Sequence, residues 1–144
     1  MIAVDTNVLV HAHRGDSPFH DRAAASLREL AEGLWAIPWP CLHEFLSIVT
    51  HPRVFHPPTP LDVARKTVAA WVAAPTVTLL SELDDYWPFL DRVLASSRVS
   101  GPRIHDARIA ALCLQHAVTE LWTADRDFGR FPGLRVRNPL LDGA

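Results

Sequence analysis

Five acidic residues of this chain have the chemistry to hold a divalent cation together: Asp5, Glu44, Asp106, Asp125 and Asp127. Hard cations such as Mg²⁺ take carboxylate oxygens as ligands, keep several waters and bind beside substrate phosphates. A cation held in this way lowers the pKa of its bound water and stabilises the charge that develops in a phosphoryl displacement. These residue types therefore indicate metal-assisted hydrolysis of a phosphate ester.

Two of the acids end apolar runs that we expect to be buried strands. Asp5 follows Met1-Ile2-Ala3-Val4, and Asp125 closes the run at 120–124. A charge in a buried segment must be paired or bind a metal. Ligands of open α/β sheets gather at the carboxyl ends of the strands, so the sequence predicts one site that Asp5 and Asp125 share.

Asp106 and Glu44 fall in helical patterns. The residues three, four and seven positions after Asp106 are Ile109, Ala110 and Cys113, which places its carboxylate along the apolar face of a helix. Stabilisation of a helix N-terminus explains Asp106 equally well. Glu44 lies at the edge of an apolar helix face, and most such glutamates are surface residues. It is the convergence of several acids that favours a site.

Three polar residues next to these acids are candidates for a supporting role. Thr6, Asn7 and Thr123 have side chains that can orient carboxylates or hold waters. Roles in turns and helix caps are at least as common for these residue types.

Short β-like runs alternate with longer helical ones, which predicts an α/β fold with a mostly parallel sheet between helices. The predicted strands are 2–5, 35–37, 77–80, 120–124 and 134–137, and the predicted helices are 17–30, 40–50, 59–73, 84–96 and 104–116. Ser17-Pro18 and Thr59-Pro60 are expected helix starts. The proline-rich segment 51–60 is expected to be a surface loop.

The composition favours a single soluble domain, residues 1–144, with 49% hydrophobic and 21% charged residues. No apolar stretch approaches the ~18 residues of a membrane span. Met1 leads directly into a strand without a basic leader region, so we expect a cytoplasmic protein. Cys41 and Cys113 match no metal-ligand spacing and are expected to be core residues without a disulfide.

The basic residues are arginines except for Lys66, and the formal net charge is −2. Arginines are concentrated in the last third of the chain, from Arg98 onward. That concentration fits either a local phosphate-binding face or a solvated surface, and charge alone favours the solvated surface.

Four blocks of sequence, in order, resemble the PIN domain family. They are Asp5-Thr6-Asn7-Val8-Leu9, Glu44-Phe45-Leu46, Asp106-Ala107 with Ile109-Ala110-Ala111, and Thr123-Ala124-Asp125-Arg126-Asp127-Phe128. The resemblance spans nearly the whole chain. In overall size, the chain is similar to the VapC toxins of bacterial type II toxin-antitoxin systems. It implies a PIN-like three-layer fold with a central, mostly parallel, twisted sheet flanked by helices.

The resemblance also implies a function, a Mg²⁺- or Mn²⁺-dependent endoribonuclease that acts as a toxin. The catalytic, metal-binding quartet would be Asp5, Glu44, Asp106 and Asp125, with Asp127 as an accessory acid. Water would be the nucleophile, which leaves a 5′-phosphate and a 3′-hydroxyl. The implied partners are RNA and a VapB-type antitoxin, with no membrane. Phosphate contacts set the register of a nucleic acid, and the candidates for them are Arg98, Arg103, Arg126 and Arg130.

Three other functions remain open from the residues alone. An aspartyl-phosphate enzyme would use Asp5 as nucleophile. Such an enzyme needs an acid at the position that Asn7 occupies and a lysine near the strand ends, whereas Lys66 lies in a predicted helix. A metal-free enzyme would use histidines for proton transfer, such as His11, His13 and His105. A non-catalytic module would only bind a metal ion and RNA.

Aromatic residues suggest self-association. Five Trp and six Phe are many for a small chain, and aromatic side chains are enriched in interfaces. Those near predicted helix ends or loops are Trp39, Phe55, Trp71, Trp87 and Phe89. Burial in the core is the alternative, but with the family resemblance we expect a homodimer that also binds an antitoxin segment in a groove leading to the acids.

Overall fold

The computed structural model describes residues 1–141, and within them five parallel strands form one sheet. The strands are β1 (Ile2–Val4), β2 (Trp35–Pro38), β3 (Val77–Leu80), β4 (Glu120–Trp122) and β5 (Arg135–Arg137), in the spatial order β3-β2-β1-β4-β5. The central strands are buried, as expected for a parallel sheet covered on both faces. The predicted α/β class is confirmed.

Six helices connect these strands. They are α1 (Thr6–His13), α2 (His20–Leu30), α3 (Trp39–Val49), α4 (Leu61–Ala73), α5 (Tyr86–Ser97) and α6 (Ile104–Gln115), with 3₁₀ turns at Gly101–Arg103 and Arg126–Arg130. The chain builds the sheet outward from β1 to β3 and then returns to β4 on the other side of β1. Because parallel crossovers are right-handed, this reversal puts α1 to α4 on one face and α5 with α6 on the other.

The reversal creates a switch point between β1 and β4, which is where open α/β sheets bind their ligands. Val4 pairs with Trp122 in the register of these two strands. The residues that directly follow, Asp5 and Thr123, therefore leave the sheet side by side.

The largest departure from the sequence prediction is helix α1. The run Val8-Leu9-Val10 is apolar and partly β-branched, so it gave no helical signal, yet it is buried within a helix that begins directly after β1. Asp5 is the N-cap of that helix, and its carboxylate accepts a hydrogen bond from the Thr6 N–H at 2.8 Å. The residues that follow the predicted first strand, to which the prediction assigned no element, thus form a helix.

Two predicted helix starts are also wrong. Helix α2 begins at His20, because Ser17 instead forms a turn in which its hydroxyl accepts from the Phe19 N–H. Helix α4 begins at Leu61, and the Thr59 side chain contacts His13 and Arg14 rather than capping it. The segment 51–60 contains no helix or strand, as predicted.

Most of the aromatic residues that suggested self-association pack against the core. Trp39, Phe55, Trp71 and Phe89 are partly buried there, and only Trp87 of the five is largely exposed, at 62%. Cys41 and Cys113 are buried free thiols, as predicted. Across the described residues, no helix is both long and apolar enough to cross a membrane.

Candidate active site

A cavity of about 320 Å³ lies at the switch point, where β1 and β4 end. It brings together all four acids of the predicted quartet with two of the three predicted supporting residues. Its walls are formed by Asp5, Thr6, Asn7, Val10, His11, Glu44, Ile48, Val54, Phe55, Asp106 and Asp125. Residues that are far apart in the sequence therefore face one space.

Asp5 is the most buried of these acids, with 5% of its surface exposed. Its carboxylate accepts hydrogen bonds from the Thr6 N–H at 2.8 Å, the Thr123 hydroxyl at 2.7 Å and the Asn7 amide at 3.2 Å. Burial raises the pKa of Asp5 to about 6, although these donors favour the charged form. The loss of hydration thus outweighs the hydrogen bonds.

Thr123 and Asn7 hold the ends of the two strands together. The Asn7 amide also donates to the Thr123 hydroxyl oxygen at 3.1 Å, while its carbonyl oxygen accepts from the Ala124 N–H at 3.0 Å. The Asp125 N–H donates to the same Thr123 oxygen at 3.0 Å. This network fixes Asp5 and the backbone of Asp125 relative to each other, with Thr123 buried beneath the cavity.

Glu44 reaches the cavity from an exposed position on α3. The Thr6 hydroxyl lies 3.2 Å from Glu44 Oε2, to which it can donate, and 3.4 Å from the Cys41 carbonyl oxygen. Thr6 therefore links α1 to the carboxylate on α3.

Asp106 lies in the first turn of α6, and its carboxylate pairs with Arg103. Its side chain is 26% exposed. Burial raises the pKa of Asp106, and the neighbouring Asp125 raises it further, while Arg103 at 3.7 Å opposes the shift. The carboxylate thus lies in the first helical turn and on the cavity wall, beside a second acid.

A second, open depression adjoins the cavity and shares Asp106 and Asp125 with it. Arg98, Arg103 and Arg130 line this depression, which we call the arginine basin, whereas Arg126 lines neither space. Asp127 lies in the basin and not in the acidic cavity. It pairs with Arg103 and, at 3.5 Å, with Arg130, so its charge is already compensated.

The acids of the cavity suit a hard divalent cation. Within residues 1–141, Asp5, Glu44 and Asp125 belong to no ion pair. In the same part of the chain, no three His, Cys, Asp or Glu side chains are gathered closely enough to form a ready metal site. Among the described residues, three of the four cavity carboxylates thus have no paired cation, whereas Asp106 faces Arg103, and carboxylate oxygens are ligands that fit Mg²⁺ or Mn²⁺.

Several cavity residues were not identified as a set from the sequence. His11 follows Asn7 by one helical turn, a spacing that would have placed both on one face had α1 been predicted. Val54 and Phe55 come from the proline-rich segment, where the Arg14 guanidinium stacks 4.4 Å from the Phe55 ring centre. Lys66 lies on α4 and lines neither the cavity nor the basin, which argues against the aspartyl-phosphate alternative.

Comparison with known proteins gives consistent similarities. The PIN domain profile matches residues 2–134. Ribonuclease VapC48 of Mycobacterium tuberculosis is 34% identical over 138 residues, covering 94% of this chain and 95% of that protein. VapC ribonuclease Mb2897 of Mycobacterium bovis is 37% identical over 142 residues, covering 97% and 96%. The VapBC2 structure from Rickettsia felis, bound to a promoter DNA fragment, has a TM-score of 0.70 at 17% identity, covering 96% of this chain and 98% of that one.

The raised pKa of Asp5 predicts a pH dependence of stability in chelator. Between about 4 and about 6 the folded state holds the Asp5 proton more tightly than the unfolded state does, so this group's contribution to the free energy of unfolding falls as pH rises. The loss should total about 3 kcal/mol and be nearly complete about one pH unit above the folded-state pKa of about 6. Urea unfolding of the parent and of Asp5→Asn across this range measures it, because other titrating groups are common to both. If the free energy of unfolding changes with pH equally in both proteins, the raised pKa does not belong to Asp5.

The surroundings of Asp106 predict that its charge strains the metal-free fold. In EDTA, Asp106→Asn should melt higher than the parent, by the equivalent of about 1 kcal/mol. Mn²⁺ should reverse the order, because an ion that binds only the folded parent stabilises it by mass action. Melting curves with and without Mn²⁺ test this. Asp62→Asn, in the first turn of α4, is the matched control and should not respond to Mn²⁺. If Asp106→Asn is less stable than the parent in EDTA and its melting temperature does not change with Mn²⁺, the convergence of the four acids at the cavity is contradicted.

Proposed function

Because this chain belongs to the PIN domain family, which matches residues 2–134, we propose that it is a Mg²⁺- or Mn²⁺-dependent endoribonuclease acting as the toxin of a toxin-antitoxin pair. The observation that carries the proposal is the single cavity lined by Asp5, Glu44, Asp106 and Asp125 at the switch point of the sheet. Two mycobacterial relatives named ribonucleases, similar over nearly their whole length, support the choice of RNA as substrate.

In the proposed reaction, Asp5, Glu44, Asp106 and Asp125 would hold the ion. When bound, such an ion would lower the pKa of a water and stabilise charge at phosphorus. Asn7 and Thr123 keep the Asp5 carboxylate in place, and Thr6 does the same for Glu44. Hydrolysis adds a water oxygen to phosphorus and breaks the bond to the 3′ oxygen, which leaves 5′-phosphate and 3′-hydroxyl ends.

The arginine basin is the proposed binding surface for the RNA backbone. It adjoins the acids directly, and phosphate contacts position a nucleic acid without reading its bases. Arg103 and Arg130 share their charge with Asp127, whereas Arg98 forms no ion pair among the described residues. Arg98 therefore has its full charge available for a phosphate. Arg126, exposed and outside the basin, is the weakest of the four candidates, and Asp127 acts in this scheme by orienting arginines.

We also propose a VapB-type antitoxin and a homodimer, in the cytoplasm where the RNA is. Solved structures with this fold include FitAB bound to a DNA fragment, at a TM-score of 0.71 and 19% identity, besides the VapBC2 complex. On this chain, α3 and α4 form an apolar groove lined by Leu46, Val68, Ala69 and Val72. A groove of this kind can receive an apolar segment of another chain.

The quartet predicts a strong and non-additive loss of cleavage. Glu44→Gln, Asp106→Asn and Asp125→Asn should each lower RNA cleavage at least about 100-fold, and a double variant should lose little more, because residues that act as a unit are not additive. Asp91→Asn, an exposed acid on α5, is the control and should cleave normally. Initial rates on single-stranded RNA in Mn²⁺, with folding checked by circular dichroism, provide the measurement.

Two outcomes would contradict this function. Cleavage that persists in EDTA would favour histidine catalysis without a metal. RNA retention without cleavage in Mn²⁺ would favour a binding module. End analysis of the products adds a separate check, since 2′,3′-cyclic phosphate ends would exclude water as the nucleophile.

A further inference from the structure

One residue on the cavity wall is neither an acid nor apolar and has no part in the network around Asp5. His11 lies on α1 one turn after Asn7 and lines the same space as the four carboxylates. The ring packs edge-on against Phe19, with 5.3 Å between ring centres. Its Nδ1 lies 2.6 Å from the Ser17 hydroxyl oxygen. Neighbouring side chains thus hold the imidazole in one orientation.

The other side-chain donors on the cavity wall are already engaged. The Asn7 amide donates to Asp5 and Thr123, and the Thr6 hydroxyl lies against Glu44. The remaining walls are carboxylates and apolar side chains. His11 Nε2 has no hydrogen-bond partner among the described residues, which makes it the available side-chain nitrogen of the cavity.

The Ser17 hydroxyl is positioned as a hydrogen-bond donor to Nδ1 of His11. The Ser17 oxygen accepts from the Phe19 N–H at 3.1 Å, so its own hydrogen is free to be donated to His11 Nδ1. A ring that accepts at Nδ1 carries its proton at Nε2. Burial lowers the pKa of His11, which favours this neutral form near pH 7.

We propose that His11 is a catalytic residue that donates a hydrogen bond from Nε2 to a non-bridging oxygen of the scissile phosphodiester. This proposal rests on the ribonuclease function proposed above. A neutral donor suits this position, because a lysine or arginine among the acids would pair with them and occupy the place of the ion. An Nε2–H group also has no lone pair to offer a metal, which separates this role from metal ligation.

His11→Phe tests the proposal, because it keeps a ring against Phe19 and removes both nitrogens. With saturating Mn²⁺ and single-stranded RNA, kcat should fall about 100-fold, the usual cost of losing one donor to developing charge. KM and Mn²⁺ affinity, the latter measured by calorimetry, should stay close to the parent values. His116→Gln, at the far end of α6, is the matched control and should leave kcat unchanged. Ser17→Ala should lower kcat by a smaller factor.

Three results would overturn the role of His11 alone: an unchanged kcat in His11→Phe, a loss of Mn²⁺ affinity, or imidazole ¹⁵N shifts in the parent that place the proton on Nδ1. The ¹⁵N spectrum requires no turnover, so it tests the donor assignment even if the parent cleaves no RNA. A parent that cleaves no RNA would overturn the proposed function itself.

Discussion

The structure depends on one buried carboxylate, that of Asp5. Removing this charge from water is unfavourable, and its pKa rises to about 6 even though Thr6, Thr123, Asn7 and Cys41 all direct donors at it. Those donors come from the first turn of α1, the end of β4 and helix α3. Satisfying Asp5 therefore requires the switch point to be assembled in full, and the same requirement positions the cavity.

The other charges of the site follow from that arrangement. The register of β1 with β4 places Thr123 beside Asp5 and leads Asp125 to the same cavity, to which α3 and α6 bring Glu44 and Asp106. Negative charge is then concentrated on one side and the arginine basin lies directly beside it. Asp127 lies in the basin, where it pairs with Arg103 and Arg130. A nucleic-acid backbone bound in the arginine basin would lead into the acidic cavity.

Much of this could be predicted from the sequence, because strands and amphipathic helices leave local periodic patterns. Asp5 and Asp125 were predictable as acids that end apolar runs, and Asp106 as an acid on an apolar helix face. Helix α1 was not, because its short apolar run, which is partly β-branched, shows no helical period. The positions of Asp127 and Arg126 depend on the 3₁₀ turn that contains them, and such a turn leaves no periodic pattern in the sequence. The role of His11 depends on a Ser17 hydroxyl in a turn that resembles a helix start, and only tertiary structure shows it.

The central claim is that these four acids bind one or more divalent ions in the cavity between β1 and β4. Anomalous scattering from crystals soaked in Mn²⁺ tests this most directly. The account predicts a peak in the cavity within ligand distance of Asp5, Asp106 and Asp125, directly or through water, and its loss in crystals of Asp125→Asn. A well-ordered cavity without a peak, or a peak confined to Asp127 in the basin, would contradict it.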